Sequence, residues 1–208
     1  MKQRIWDISQ RLHPGVPVWP GDTPFGGEQT WKMADGSPVN VSRLTLSTHT
    51  GAHADAPLHY SQDGADIASV DLTPYLGKCL VVDARKAVGL IQESDLPNLL
   101  GITRILLRTY ERFPHTQWEE DFTAISPEAI RWLAMHGVTL IGIDTPSIDP
   151  QNSKSMDAHN AVLRADIRVL EGLVLDDVEA GIYELIALPL PIEGGDASPV
   201  RAVLRELP

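Results

Sequence analysis

A chain of 208 residues with 43% hydrophobic side chains is large enough to bury a substantial core, and its composition is that of an ordinary globular protein. A formal net charge of −11 argues against nucleic acid or an anionic membrane surface as a partner. One cysteine, Cys79, excludes an intramolecular disulfide framework and a thiolate metal cluster; set in Cys79-Leu80-Val81-Val82, it reads as a small buried hydrophobe.

Residues 1–9 mix Lys2, Arg4 and Asp7 with isolated apolar side chains, and no later run is long enough to span a bilayer, so the expected location is cytoplasmic. Residues 13–39 concentrate proline and glycine and are expected to form a long irregular loop, a type of segment that is often functional in compact domains. Residues 41–48 alternate Leu44 and Leu46 with Arg43, Thr45 and Ser47, which predicts a half-buried strand delivering His49 at its end. Further strands are expected at 80–83, 104–108, 138–144, 183–190 and 199–207, with 138–144 apolar enough for a sheet interior. Ser126-Pro127-Glu128 is a cap followed by proline at the first helical position and opens a helix to His136, before Gly137. A second helix beginning near residues 155–158 carries His159 and Leu163 on one face. With no internal repeat or linker, one mixed α/β domain over residues 1–208 is the economical reading.

The chemistry concentrates in residues 49–59, H-T-G-A-H-A-D-A-P-L-H. Imidazole nitrogen and carboxylate oxygen are the usual ligands of a catalytic Zn²⁺ or similar ion, and three protein ligands plus an open position is the catalytic pattern. His49, His53 and Asp55 can supply that set, leaving His59 for proton transfer. Gly51 and Pro57 argue against a helix here, and an extended chain places 49, 53, 55 and 59 on one face by parity. A straight strand would nevertheless separate His49 from His53 by roughly 13 Å, whereas two nitrogens on one metal stand about 3 Å apart. The chain must therefore bend between them, and Gly51 supplies the freedom, while Pro57 stiffens the exit that aims His59 back. The competing reading is a polar loop whose histidines are incidental.

The run from His49 to His59 resembles the H-x-G-[TA]-H-x-D-x-P-x-H signature of the metal-dependent cyclase family. Ile5-Trp6-Asp7-Ile8-Ser9, Val18-Trp19-Pro20-Gly21-Asp22-Thr23-Pro24-Phe25 and the chain length extend the resemblance over essentially the whole sequence. It implies a swivelling β/β/α fold, with a mixed sheet and few helices. It implies a homodimer, and hydrolysis of N-formyl-L-kynurenine to L-kynurenine and formate in tryptophan degradation. It also implies two zinc ions: one held by His49, His53 and Asp55, the other by His159 and Glu171 with Asp55 bridging. Manganese or cobalt accept the same donors. Taken alone, His159 reads more readily as a surface or capping residue than as a ligand, and Glu171, in Leu170-Glu171-Gly172-Leu173, is unusual among apolar neighbours but reads also as an exposed turn residue. The resemblance places Trp19 on the substrate, where an indole offers a flat apolar face to an aminophenyl ring; a loop tryptophan packed on the core is the alternative.

Metal coordination brings the pKa of water from 15.7 toward about 7 and polarises a carbonyl oxygen. An aryl amine is a poor leaving group as an anion, so His59, with an ordinary pKa near 6.5, is the candidate to move a proton onto its nitrogen. Other groups carry less. His13, His115 and His136 lack carboxylates at ligand spacing, Asp83 and Asp144 end apolar strands and read as turn caps in preference to groups supporting the metal ligands from behind, and Ser147 has no glycine-flanked elbow. Two other function classes stand beside the formamide hydrolase: a related cyclase-family enzyme opening isatin or a cyclic imide, and a non-enzymatic metal-binding protein.

Overall fold

The computed structural model describes residues 3–207. In chain order its strands and helices are β1 (Ile5–Asp7), β2 (Gly26–Trp31), β3 (Val41–Thr45), β4 (His53–Asp55), α1 (Pro57–Tyr60), β5 (Leu76–Asp83), β6 (Leu90–Ile91), β7 (Arg104–Arg108) and β8 (Ala124–Ile125). The second half adds α2 (Pro127–Met135), β9 (Leu140–Ile143), α3 (Asp157–Ala165), β10 (Arg168–Glu171), β11 (Gly181–Ile186), β12 (Ala197–Pro199) and β13 (Val203–Arg205). Nine strands form one mixed sheet in the order β1-β13-β11-β5-β7-β9-β10-β4-β12. The centre, β5-β7-β9-β10, is parallel, and the remaining pairings are antiparallel.

Parallel strands covered on both faces need apolar side chains in both directions, and these have them. Cys79, Val81, Leu106, Leu140 and Leu170 point into one core, and their neighbours Leu80, Val82, Ile105, Leu107, Ile141 and Val169 point into the other. The second core is closed by α2 and α3, through Ile130, Leu133, Ala158 and Val162 among others. The α2 cap is as the sequence predicts: the Ser126 side chain accepts from the Ala129 N–H, with Pro127 opening the helix. Cys79 is free and buried.

Two expectations are corrected. Residues 13–39 are not irregular throughout, because Gly26–Trp31 pairs antiparallel with Val41–Thr45 as a separate two-stranded sheet. Cross-strand partners hold it: Arg43 sits 2.7 Å from Glu28, and the Thr30 hydroxyl donates to the Val41 carbonyl. The strand expected to be half-buried over 41–48 is β3, exposed at every residue, because this ribbon is not hydrogen-bonded into the main sheet. Residues 46–49 leave it as irregular chain leading to His49.

Candidate metal centre and active-site cleft

Sheet register assembles the centre. In the antiparallel pair β10/β4, Glu171 stands opposite His53 and Val169 opposite Asp55. Alternation then puts His53, Asp55 and Glu171 on the face shared with Val169, the face that α3 covers, while Ala54 and Leu170 turn into the other core. From α3 the buried His159 reaches the same place. His49 arrives from the preceding loop, which reverses at Gly51 with φ +72°, the bend that the ligand spacing demanded. The run 49–59 is not extended to its end, however. Only His53–Asp55 is strand, and Pro57, at the first helical position, opens a single turn that presents His59 beside His49, with ring centroids 4.2 Å apart.

Each of three imidazoles spends one nitrogen on a protein acceptor. His53 Nδ1 lies 2.8 Å from the Gly51 carbonyl, His159 Nδ1 2.7 Å from Asp149 Oδ2, and His49 Nε2 2.9 Å from Asp196 Oδ2. Those acceptors place the ring N–H there, so in the neutral rings His53 Nε2, His159 Nε2 and His49 Nδ1 carry lone pairs. All three face carboxylates. His49 Nδ1 is 3.2 Å and His53 Nε2 3.4 Å from Asp55 Oδ1, and His53 Nε2 is 3.3 Å from Glu171 Oε2. His159 Nε2 is 3.4 Å from Asp55 Oδ2 and 3.6 Å from Glu171 Oε1.

These separations are long for charge-assisted hydrogen bonds, and His53 Nε2, His159 Nε2 and both Asp55 oxygens are buried with no hydrogen-bond partner. Two ligand atoms each about 2.1 Å from a common ion at the tetrahedral angle stand about 3.4 Å apart, so the donor set fits divalent cations. Asp55 and Glu171 each turn one oxygen toward His53 and the other toward His159.

The charge balance points the same way. Burial would lower His159, but Asp149 and Asp55 push it up to about 10; burial would likewise lower His49, but Asp55 and Asp196 push it up to about 9. Burial would raise Asp55, yet His159 and His49 hold it well below the carboxylate range. Without cations His49 and His159 hold protons on the nitrogens that would ligate metal. His59 differs: burial pulls its pKa down, only partly offset by Asp55, so it is neutral near pH 7. It also lies within 4.8 Å of His49 and Asp55 ligand atoms, close enough to be tested as a ligand.

Over the centre opens a cleft of about 340 Å³, the size of a small-molecule site. His49, His53, His59 and Glu171 line it at the centre, and Trp19 lines its wall. Trp19 packs edge-on against Trp118 at 5.3 Å and Phe122 at 6.4 Å between centroids, and it remains 37% exposed. Pro20 and Gly21, with φ +90° at Gly21, make the turn that holds it, closed by the Asp22 N–H on the Trp19 carbonyl.

A family model described as "Putative cyclase" matches residues 6–150. The chain belongs to the cyclase family. It is 59% identical over 207 residues to the curated "Kynurenine formamidase" of Erythrobacter litoralis (strain HTCC2594), covering 100% of this chain and 96% of that one. To the protein of the same name from Maricaulis maris (strain MCS10) it is 56% identical over 207 residues, 99% of each. Among solved structures, a potential metal-dependent hydrolase with cyclase activity superposes with a TM-score of 0.85 at 27% identity, over 100% of both chains. An isatin hydrolase bound to the product analogue thioisatinate gives 0.82 at 22% identity, over 98% of this chain and 92% of that one, a likeness of fold.

Within this cyclase-family site two residues escaped the sequence reading, and a third has a place the sequence reading did not favour. Asp149 holds His159 Nδ1 and also accepts from the Ala158 and His159 N–H groups at the start of α3, so one carboxylate caps the helix and orients its histidine. Asp196 bonds both His49 and His59, from far along the chain. Asp144, read as a turn cap, does cap the backbone of Thr109 and Tyr110, but from a buried position beside the cleft. Only Asp149 had a local signal, as an acidic residue ahead of a helix start. Asp83 is the turn cap expected, bonding the Arg85 N–H and guanidinium.

Proposed function

We propose that the protein is a metal-dependent amide hydrolase that converts N-formyl-L-kynurenine and water to L-kynurenine and formate. The observation that carries the substrate is the full-length identity to two curated kynurenine formamidases. The donor set beneath an indole-walled cleft supports the chemistry. His49, His53 and Asp55 would hold one zinc, and His159 and Glu171 another bridged by Asp55, with the second oxygen of Glu171 turned toward the first site. Manganese and cobalt suit the same nitrogen and oxygen ligands. When bound, such ions supply Lewis acidity, polarising a carbonyl oxygen and bringing the pKa of water toward about 7.

The remaining steps belong to the chain's own groups. His59, neutral and open to the cleft, takes a proton as water oxygen bonds to the formyl carbon. As the C–N bond breaks, the same nitrogen returns that proton to the aniline nitrogen, so the amine leaves neutral. Trp19 stacks the aminophenyl ring, and Trp118 and Phe122 keep the indole upright. Burial of the centre excludes bulk water from all but the cleft side.

A homodimer belongs to the same reading, supported by the β2/β3 ribbon, which exposes Trp31, Val41 and Leu44, with Met33 exposed in the turn between the strands. A cytoplasmic location also belongs to it. The alternative, ring opening of isatin or a cyclic imide, has the likeness of fold behind it. Measuring kcat/KM for N-formyl-L-kynurenine and for isatin on one preparation separates the two: preference for the linear formamide is expected, and preference for isatin overturns the assignment.

A further inference from the structure

His59 is the most exposed of the histidines at the centre and sits on a helical turn of four residues, so something must fix its ring if it is to deliver a proton to one atom. Among the described residues its ring has one hydrogen-bond partner, Asp196, with Nδ1 3.3 Å from Oδ2. The same oxygen lies 2.9 Å from His49 Nε2, and the other carboxylate oxygen accepts the Thr48 hydroxyl at 2.9 Å. One carboxylate oxygen thus binds two imidazoles, whose rings are tilted by 45° at 4.2 Å between centroids.

The sheet fixes where this carboxylate sits. Asp196 immediately precedes β12, which pairs with β4 in the register Ala197↔Asp55. Its own carbonyl accepts from the Ala56 N–H at 2.9 Å, at the point where β4 hands the chain to the turn carrying His59. The ladder that places Asp55 therefore also places Asp196, and neither position depends on the side chain of the other.

We propose that Asp196 is a positioning residue for proton transfer: it holds the N–H on His59 Nδ1 and so leaves Nε2 as the nitrogen that takes the proton from water and returns it to the leaving amine. The inference rests on the role given above to His59. A carboxylate that only braced His49 would act through metal retention and would affect all substrates alike. One that orients His59 matters most where the leaving group needs a proton. An aniline nitrogen does; a para-nitrophenolate, expelled as a stable anion, does not.

The test compares Asp196→Asn with the wild-type holoenzyme on formanilide and on para-nitrophenyl formate, with metal content measured on both proteins. Asparagine keeps the shape and the backbone bonds but offers a weaker, uncharged acceptor. The expected result is full metal content and a kcat for the amide that falls about tenfold further than that for the ester. Loss of metal, an equal fall on both substrates, or no change in the ratio overturns the proposal. His59→Ala run alongside tells its failure from that of the parent reading: if that variant shows no amide-selective loss, the role of His59 is wrong, and if it does while Asp196→Asn does not, Asp196 alone is misassigned.

Discussion

Glu171 and His53 are directly opposed partners in the antiparallel pair of β10 and β4, with 3.3 Å between Oε2 and Nε2. An acid and an imidazole at opposite points of a buried ladder are brought together by backbone register, which sets where their side chains start. The next residue, Gly172, closes the arrangement: with φ +64°, a methyl group there would stand 2.6 Å from the Gly51 carbonyl oxygen, at the bend between His49 and His53.

Gly172→Ala should therefore push the Gly51 loop away from the end of β10. The expected outcome is a loss of about 1–3 kcal/mol in stability together with weakened metal binding. Thermal melts and metal titration check both, and normal metal affinity in the variant would show that the loop moves without disturbing the ligands.

His59→Ala should keep its metal and lose about 10²–10⁴ in kcat, the range for a positioned acid–base group. Metal analysis with steady-state kinetics on N-formyl-L-kynurenine decides it. If the variant arrives depleted of metal, His59 is a ligand beside His49 and Asp55 instead.

Removal of the indole in Trp19→Ala should raise KM for N-formyl-L-kynurenine by about tenfold, the scale of one aromatic stacking contact with its buried area. A small aliphatic formamide has no ring to stack and should be nearly indifferent. Equal changes on the two substrates would place Trp19 in the packing of Trp118 and Phe122 rather than on the substrate.

Asp144 gives a pH-dependent prediction. Burial pushes its carboxyl up to about 6 against the donors Thr109 and Tyr110. In the unfolded chain the value is about 3.9, so between these limits the folded state binds the proton more tightly and stability falls as pH rises, by on the order of 3 kcal/mol. Asp144→Asn cannot ionise and lacks this component. Denaturant unfolding at about pH 4 and pH 7 should show the stability difference between variant and wild type moving in favour of the variant as pH rises. A difference independent of pH would mean that Thr109 and Tyr110 compensate the buried charge.

Much of the centre was legible because it is local. The spacing of His49, His53 and Asp55 demanded a bend, and Gly51 takes the positive φ that provides it. The capped start of α2 and the doubly apolar strands β5, β7 and β9 also read directly, since caps and hydrophobic runs are short-range features. His159 and Glu171 had weak local signals, and only the family resemblance brought them to the centre; their approach depends on β10 lying between β9 and β4, a matter of sheet order. Asp196 had no signal, because its partners lie across the β12/β4 pairing. The β2/β3 ribbon was missed because its glycines and prolines suggested irregular chain, whereas cross-strand pairing holds it extended. His59 was assigned to an extended run, whereas Pro57 begins a helical turn there.

Removal and return of metal test the central claim most directly. The account predicts that the purified protein carries divalent metal, releases L-kynurenine from N-formyl-L-kynurenine, loses that activity when stripped by a chelator, and regains it when zinc is restored. Undiminished hydrolysis by protein shown to be free of metal would contradict it.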